Sequence, residues 1–156
     1  MALAQIEADR LLRLPKSFPP DVTEIQFSTT FAFDLAFELT GGAKNRERFL
    51  LDLERGQRKR VRLKYQTRAQ NIHVLARLDL NGRPHRNPPD APHRPGHRFT
   101  GHHLHVYREG YADRVAYYPD ELPGFTGPAL DDDVSWLEAF LAYCNVTPVP
   151  QIQVTL

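Results

Sequence analysis

The sequence predicts an α+β fold: an antiparallel sheet of about five to six strands, with an N-terminal and a C-terminal helix packed on one face. Segments with a two-residue apolar period fill the middle of the chain, and each end carries helical patterning. The chain has 156 residues, 41% apolar and 25% charged. That is enough for one ordinary globular domain with its own core, so a single domain over residues 1–156 is expected.

The opening stretch, Ala2 to Arg13, is rich in helix formers and sets Ala4, Ala8, Leu11 and Leu12 near one face. Pro15 ends it, because the residue before a proline avoids the helical region. Ser17 to Asp21 then reads as a connector. Phe33, Leu35, Phe37 and Leu39 alternate with Asp34, Ala36 and Glu38 up to the Gly41-Gly42 break. Phe49, Leu51 and Leu53 follow, alternating with Leu50, Asp52 and Glu54.

After Gly56 the alternation sharpens, with Val61, Leu63 and Tyr65 on one side and Arg60, Arg62, Lys64, Gln66 and Arg68 on the other. A three-residue loop, Gly56-Gln57-Arg58, would pair Leu53 with Val61, Leu51 with Leu63 and Phe49 with Tyr65. It would also set Glu54 against Arg60 and Asp52 against Arg62, so both faces match. Ile72, Val74, Ala76 and Leu78 then oppose His73, Leu75, Arg77 and Asp79.

Residues 82–101 lose all periodicity and are rich in proline and histidine, and a loop of that length is usually functional or disordered. Order returns with Leu104 and Val106 on one face and His103, His105 and Tyr107 on the other. Glu109-Gly110 turns the chain, and Arg114 to Tyr118 can return as a strand. Asp131 to Asp133 provide an N-cap and first-turn charge for a helix whose apolar stripe is Val134, Leu137, Leu141 and Cys144, broadened by Trp136 and Phe140. Gln151 to Leu156 can add a short last strand.

Composition narrows the function classes. Cys144 is the single cysteine, so an intrachain disulfide and a cysteine-based zinc cluster are excluded, and its place on the apolar stripe favours packing over nucleophilic chemistry. No signal peptide and no membrane-length apolar run is apparent, so a cytoplasmic protein with no membrane association is expected. The net charge of +1 hides an asymmetry. Lys44 to Arg98 holds 15 Lys/Arg against 5 Asp/Glu, a net +10, between flanks of −3 and −6. Such a dipolar surface draws an anionic partner to one face, unless the acidic ends fold over the basic centre.

If the middle strands share one sheet, Lys64, Arg68, Arg77 and Asp79 lie on one polar face, joined by His103, His105 and Tyr107. In the expected register Arg60 and Arg62 already have acidic partners, as ordinary solvent-face pairs do. Lys64, Arg68 and Arg77 lack one and are the stronger phosphate contacts, with Arg62 on the same face. Histidines that titrate near neutrality suit both proton transfers of metal-free RNA cleavage. Arg or Lys would stabilise the charged transition state. A metal reading also exists: His103 and His105, at i and i+2 on one strand face, can share an ion, with His85, His93 or His97 as a third ligand. No familiar metal-ligand spacing accompanies them, so no metal or other cofactor is expected.

Two resemblances follow from these residues. The Glu7-Ala8-Asp9 to Leu14-Pro15-Lys16 opening is similar to that of a family of uncharacterised bacterial and phage proteins, over nearly the whole chain. Arg77-x-Asp79, then Pro84-His85, then His102-His103-x-His105 resembles the TumE-like toxins of toxin–antitoxin pairs, over the middle third. The second resemblance implies a RelE/barnase-like ribonuclease class, RNA as substrate, and Arg77, Asp79, His85, His103 and His105 as its catalytic residues. The long proline-rich insertion between Asp79 and His102 departs from that pattern. The expectation is therefore a metal-independent endoribonuclease, the toxin of a toxin–antitoxin pair. Its catalytic groups would be His103, His105, Arg77, Asp79 and His85, with Lys64, Arg68, Arg62 and Tyr107 contacting RNA. The alternative is a non-catalytic phage or mobile-element protein that binds a host defence complex or nucleic acid through the same face.

Overall fold

A computed structural model describes residues 2–156. In chain order the elements are α1 (Gln5–Arg13), β1 (Lys16–Ser17), β2 (Glu24–Ser28), β3 (Phe33–Gly41), β4 (Glu47–Arg55), β5 (Leu63–Ala69), β6 (His73–Leu80), β7 (His85–Arg86), β8 (Arg98–Phe99), β9 (His103–Val106), β10 (Ala116–Tyr117), α2 (Asp133–Tyr143) and β11 (Gln151–Thr155). The fold is α+β, as expected. The main sheet has seven strands in the order β1-β3-β4-β5-β6-β9-β10, every adjacent pair antiparallel. Two extra pairs flank it: β11 runs parallel to β2, and β7 pairs with β8 inside the proline-rich segment. Among the described residues no helix is long and apolar enough to cross a membrane.

Alternation gives the sheet two unlike faces. Leu51, Leu53, Tyr65, Leu78 and Leu104 turn inward, where one continuous core joins them to Ala8, Leu11 and Leu12 of α1 and Leu137, Phe140 and Leu141 of α2. Asp132 caps α2 by accepting the Ser135 amide at 2.8 Å. Cys144 is fully buried beside the core, and burial pushes its thiol up to about 12, so it packs rather than reacts.

The β4–β5 hairpin differs from expectation by four residues along the return strand. Leu53 pairs with Tyr65 rather than Val61, Asp52 with Gln66, and Glu54 with Lys64. An even slip keeps every side chain on its expected face. The preference has a steric cause: this register buries the Tyr65 ring completely and lets its hydroxyl donate to the Asp133 carbonyl at 2.9 Å, while Val61 goes to solvent. Arg55 locks it. Its buried guanidinium donates to the Ser28 carbonyl, the Arg60 carbonyl and the Asp133 carboxylate at 2.7–3.0 Å. Residues 56–62 thus become an extended turn that carries Arg58, Lys59, Arg60 and Arg62 out of the sheet.

β6 contains a second departure. A bulge sets Arg68 opposite Val74 and Thr67 opposite Ala76, leaving Leu75 as the extra residue. Val74 therefore joins the outer face, contrary to the simple alternation, while Leu75 and Ala76 are both buried. Arg77 and Asp79 remain on the outer face.

Lys16 closes the opposite end. It is 1% exposed, and its ammonium donates to the Leu12, Leu14 and Cys144 carbonyls at 2.8, 3.0 and 2.8 Å. These are carbonyls left over at the C-terminal ends of the two helices. Burial lowers its pKa to about 8, so it is still charged at neutral pH. Replacing it with an isosteric apolar chain, Lys16→Met, orphans three acceptors. The expected loss is roughly 2–4 kcal/mol of stability, to be read from urea unfolding midpoints at pH 7.

Candidate active site

The outer face of β6 and β9 holds the main cluster of polar side chains. Antiparallel pairing sets Arg77 across from His105 and Asp79 across from His103, all on the face away from the helices. Both histidines are buried, at 0% and 1% exposure, although the face itself is not covered by either helix. The proline-rich segment provides that cover. Its β7–β8 hairpin brings His85 edge-on to His105, with ring centroids 4.5 Å apart, and stacked on His103 at 6.2 Å. Phe99, the cross-strand neighbour of His85, also packs on His103, with ring centroids 6.1 Å apart.

Asp79 is the hub. Its Oδ2 lies 3.5 Å from Nε2 of both His103 and His105, and the Arg77 guanidinium grips the carboxylate through Nε at 3.0 Å. Asp113 holds Arg77 from behind at 3.2 Å. Burial pushes the Asp79 carboxyl up, but the two imidazoles and Arg77 more than reverse that, and it sits well below the ordinary carboxylate range. The His105 imidazole is held below its usual value, mainly by burial, with Asp79 opposing. Gly82 fits against this hub because it has no side chain: a Cβ there would lie 2.9 Å from the Asp79 Cβ.

Each histidine spends its other nitrogen on backbone. Nδ1 of His103 meets the Gly101 carbonyl at 3.1 Å, and Nδ1 of His105 meets the Asp113 carbonyl at 2.8 Å. A carbonyl only accepts, so Nδ1 carries the hydrogen in both rings. Both Nε2 atoms are sealed from solvent and have no hydrogen-bond partner.

Beside the hub opens a cavity of about 610 Å³. His85, His105 and Asp79 form its floor, and Arg58, Lys59, Arg62, Lys64, Arg77 and Arg83 surround it against two carboxylates, Glu54 and Asp79. The ion pairs reverse the expected division of labour among these cations. Lys64 pairs with Glu54 at 3.2 Å, in the place expected of Arg60, and Arg68, opposite Leu50, reaches diagonally to Asp52 at 2.8 Å, while Gln66 stands where Arg62 was expected. Among the described residues Arg58, Lys59, Arg62 and Arg83 have no carboxylate within ion-pair distance. Arg68 does not line the cavity. Tyr107 is not brought to this face at all: it is buried, and its hydroxyl bonds the backbone of Leu3 on the helix side. β9 ends at Val106, so the expected alternation does not reach it.

The remaining loop histidines are clasps. His93 stacks on Tyr117 and bonds Glu121, and His97 bonds the Tyr118 hydroxyl at 2.9 Å. Neither joins His103 and His105 as a ligand; Asp79 occupies the third place instead. Sequence reading missed Asn87, which is 1% exposed and ties the segment down. Its amide donates to the His93 and Ala116 carbonyls, and its oxygen accepts from the Ala116 amide at 2.8 Å and contacts His85 Nε2 at 3.1 Å. It also missed Arg58, Lys59 and Arg83, visible in the sequence only as charges beside turn glycines.

A family model described as a family of unknown function, DUF6978, matches residues 3–146. No curated protein and no solved structure matches the chain.

Two outcomes follow for the covering segment. Asn87→Ala removes bonds to both loop arms, so amide protection across residues 85–99 should fall and stability should drop by about 1–3 kcal/mol; hydrogen exchange measures both. Arg94 foremost, aided by His93, holds the Glu121 carboxyl down to about 2 against a partial opposing effect of burial. A depressed carboxylate stabilises the fold above its unfolded value near 4.5 and loses that contribution as pH falls through about 2. Carboxyl NMR should find Glu121 protonating near 2, with protection of the Arg94 loop lost across that window.

Proposed function

The chain belongs to DUF6978, and from its own geometry we propose that it is an endoribonuclease working in the basic cleft. The observation that carries this reading is the placing of six cations against two carboxylates around a histidine floor. A cleft of one charge sign concentrates the oppositely charged partner, and a polyanion with an ionisable 2′-hydroxyl suits imidazole chemistry at the floor.

Arg62, Lys59, Arg58 and Arg83 are the phosphate contacts, since they keep their charge unspent. Lys64 and Arg77 contribute from the strands at the cost of sharing it with Glu54 and Asp79. His85 is the group that takes the 2′-hydroxyl proton as the 2′-oxygen attacks phosphorus; the P–O5′ bond breaks and the leaving 5′-oxygen takes its proton from water. His85 lines the cleft, and its Nε2 is occupied by the Arg114 carbonyl at 2.8 Å, which leaves Nδ1 as its free base. His103 and His105, expected to move protons themselves, turn sealed Nε2 atoms toward Asp79, so they are not placed to exchange a proton with a substrate in the cleft. An enzyme of this kind damages its own cell unless restrained, and an antitoxin acting on it would have to cover the cleft.

The test is cleavage of defined single-stranded RNA. Wild type should cleave, His85→Ala should lose about 10²- to 10⁴-fold in rate, and Arg62→Glu should weaken RNA binding and flatten its salt dependence. RNA binding without cleavage, still sensitive to Arg62→Glu, would replace this reading with the non-catalytic one. In that case the unspent cations serve a nucleic acid or a host defence partner alone. No binding and no cleavage would end both.

A further inference from the structure

We propose that Asp79, His103 and His105 form a binding site for one divalent transition-metal ion of the zinc class, at the floor of the cleft. The site deepens the ribonuclease reading by giving the floor its charge, but its argument uses no RNA.

The starting point is an electrostatic conflict. With Nδ1 of each ring donating to a carbonyl, the neutral imidazole presents a lone pair at Nε2. Both lone pairs then point at one carboxylate oxygen, Asp79 Oδ2, in a region closed to solvent. Lone pair against carboxylate is repulsive, and Arg77, which holds the carboxylate from its own side, does not lie between Oδ2 and the two rings' hydrogen-bond-free Nε2 atoms. Two protons would relieve the repulsion only by making adjacent imidazoliums, ring centroids 5.1 Å apart, with the Arg77 cation already on the same carboxylate. The distances also argue against protons: charge-assisted N–H···O bonds run about 2.7–2.9 Å, and both contacts here are 3.5 Å.

A metal ion removes the conflict and fits the spacing. With metal–ligand bonds of about 2.0–2.2 Å, neighbouring ligands of a tetrahedral ion stand roughly 3.4 Å apart. The three ligand atoms lie within 4.8 Å of one another, and the two nitrogen–oxygen separations are 3.5 Å. The surroundings are those of a metal site as well. Each ligating imidazole is fixed by its other nitrogen on a backbone carbonyl, and Arg77 orients the carboxylate through both oxygens, Nε to Oδ1 at 3.0 Å and Nη2 to Oδ2 at 3.3 Å. Nitrogen and carboxylate donors without thiolate suit zinc and its first-row neighbours more than magnesium or calcium. Three protein ligands leave a fourth position, next to the cleft that Asp79 and His105 also line. An ion there would hold a water or a phosphate oxygen.

The experiment is metal titration of full-length protein, purified without a histidine tag and stripped with chelator. Zn²⁺ should bind at one equivalent and raise the melting temperature. Co²⁺ should give the visible d–d bands of a four-coordinate nitrogen/oxygen site. His103→Gln and Asp79→Asn should each weaken Zn²⁺ by at least about 10-fold, and His85→Ala should leave Zn²⁺ affinity unchanged. Absence of stoichiometric Zn²⁺ and Co²⁺ binding by folded wild type overturns the site without reference to any variant. So does Zn²⁺ binding that survives His103→Gln in a variant shown to be folded by circular dichroism. RNA cleavage that persists in chelator would refute the metal's part in the reaction while leaving the ribonuclease reading intact. One bound ion with no RNA cleavage would do the reverse.

Discussion

One extra residue in β6 determines what the outer face of this sheet can be. Strand alternation is strict, so every side chain beyond an inserted residue changes face relative to those before it. Val74, ahead of the bulge, lies outward opposite Arg68; Ala76, beyond it, lies inward opposite Thr67. Arg77 and Asp79 thereby meet Gln66, Lys64, His105 and His103 on the outer surface while Leu78 and Leu80 enter the core. Without the bulge, Val74 and the Arg77–Asp79 pair could not share one face: if Val74 stayed outward, Arg77 and Asp79 would turn into the core. The core would then receive an ion pair with no solvent and the cleft would lose its floor.

The outer face is also where polarity and burial collide. Sheets of this class commonly leave one face to water. Here a proline-rich segment, held by Asn87, His93 and His97, lies over part of it. Water is removed from His103 and His105 but remains near Lys64, Arg62 and Arg83. The same face therefore offers a dry set of ligating atoms next to a wet ring of cations, and any chemistry there combines both.

Much of the architecture was legible in the sequence because it rests on period. The inward rows, the helix ends at Pro15 and Asp132, and the short last strand all follow from alternation, capping and turn residues. What was not legible depended on contacts distant in sequence. The hairpin register turned on Arg55 and Tyr65 both reaching Asp133. No pattern within residues 49–65 signals that, and the misassigned ion pairs followed directly. At the site, His103, His105, Arg77 and Asp79 were found together because two strands with one apolar face each must pair apolar side to apolar side. His85 was found through its motif alone. The unspent charge of Arg58, Lys59 and Arg83 became visible only once the turn was placed, and Tyr107 was lost to the face by the end of β9.

The parallel pairing of β2 with β11 bears on how the molecule is made. Among the described residues β2 has no other strand partner, and β11 lies more than 120 residues after it in the chain. During translation the chain can assemble α1, the seven-stranded sheet and α2 while the backbone amides and carbonyls of Glu24–Ser28 still wait for Gln151–Thr155. A ribosome-bound intermediate therefore carries an open strand edge next to Ile25 and Phe27 until Gln151–Thr155 have cleared the exit tunnel, and that interval is when it is most exposed to pairing with a neighbouring nascent chain.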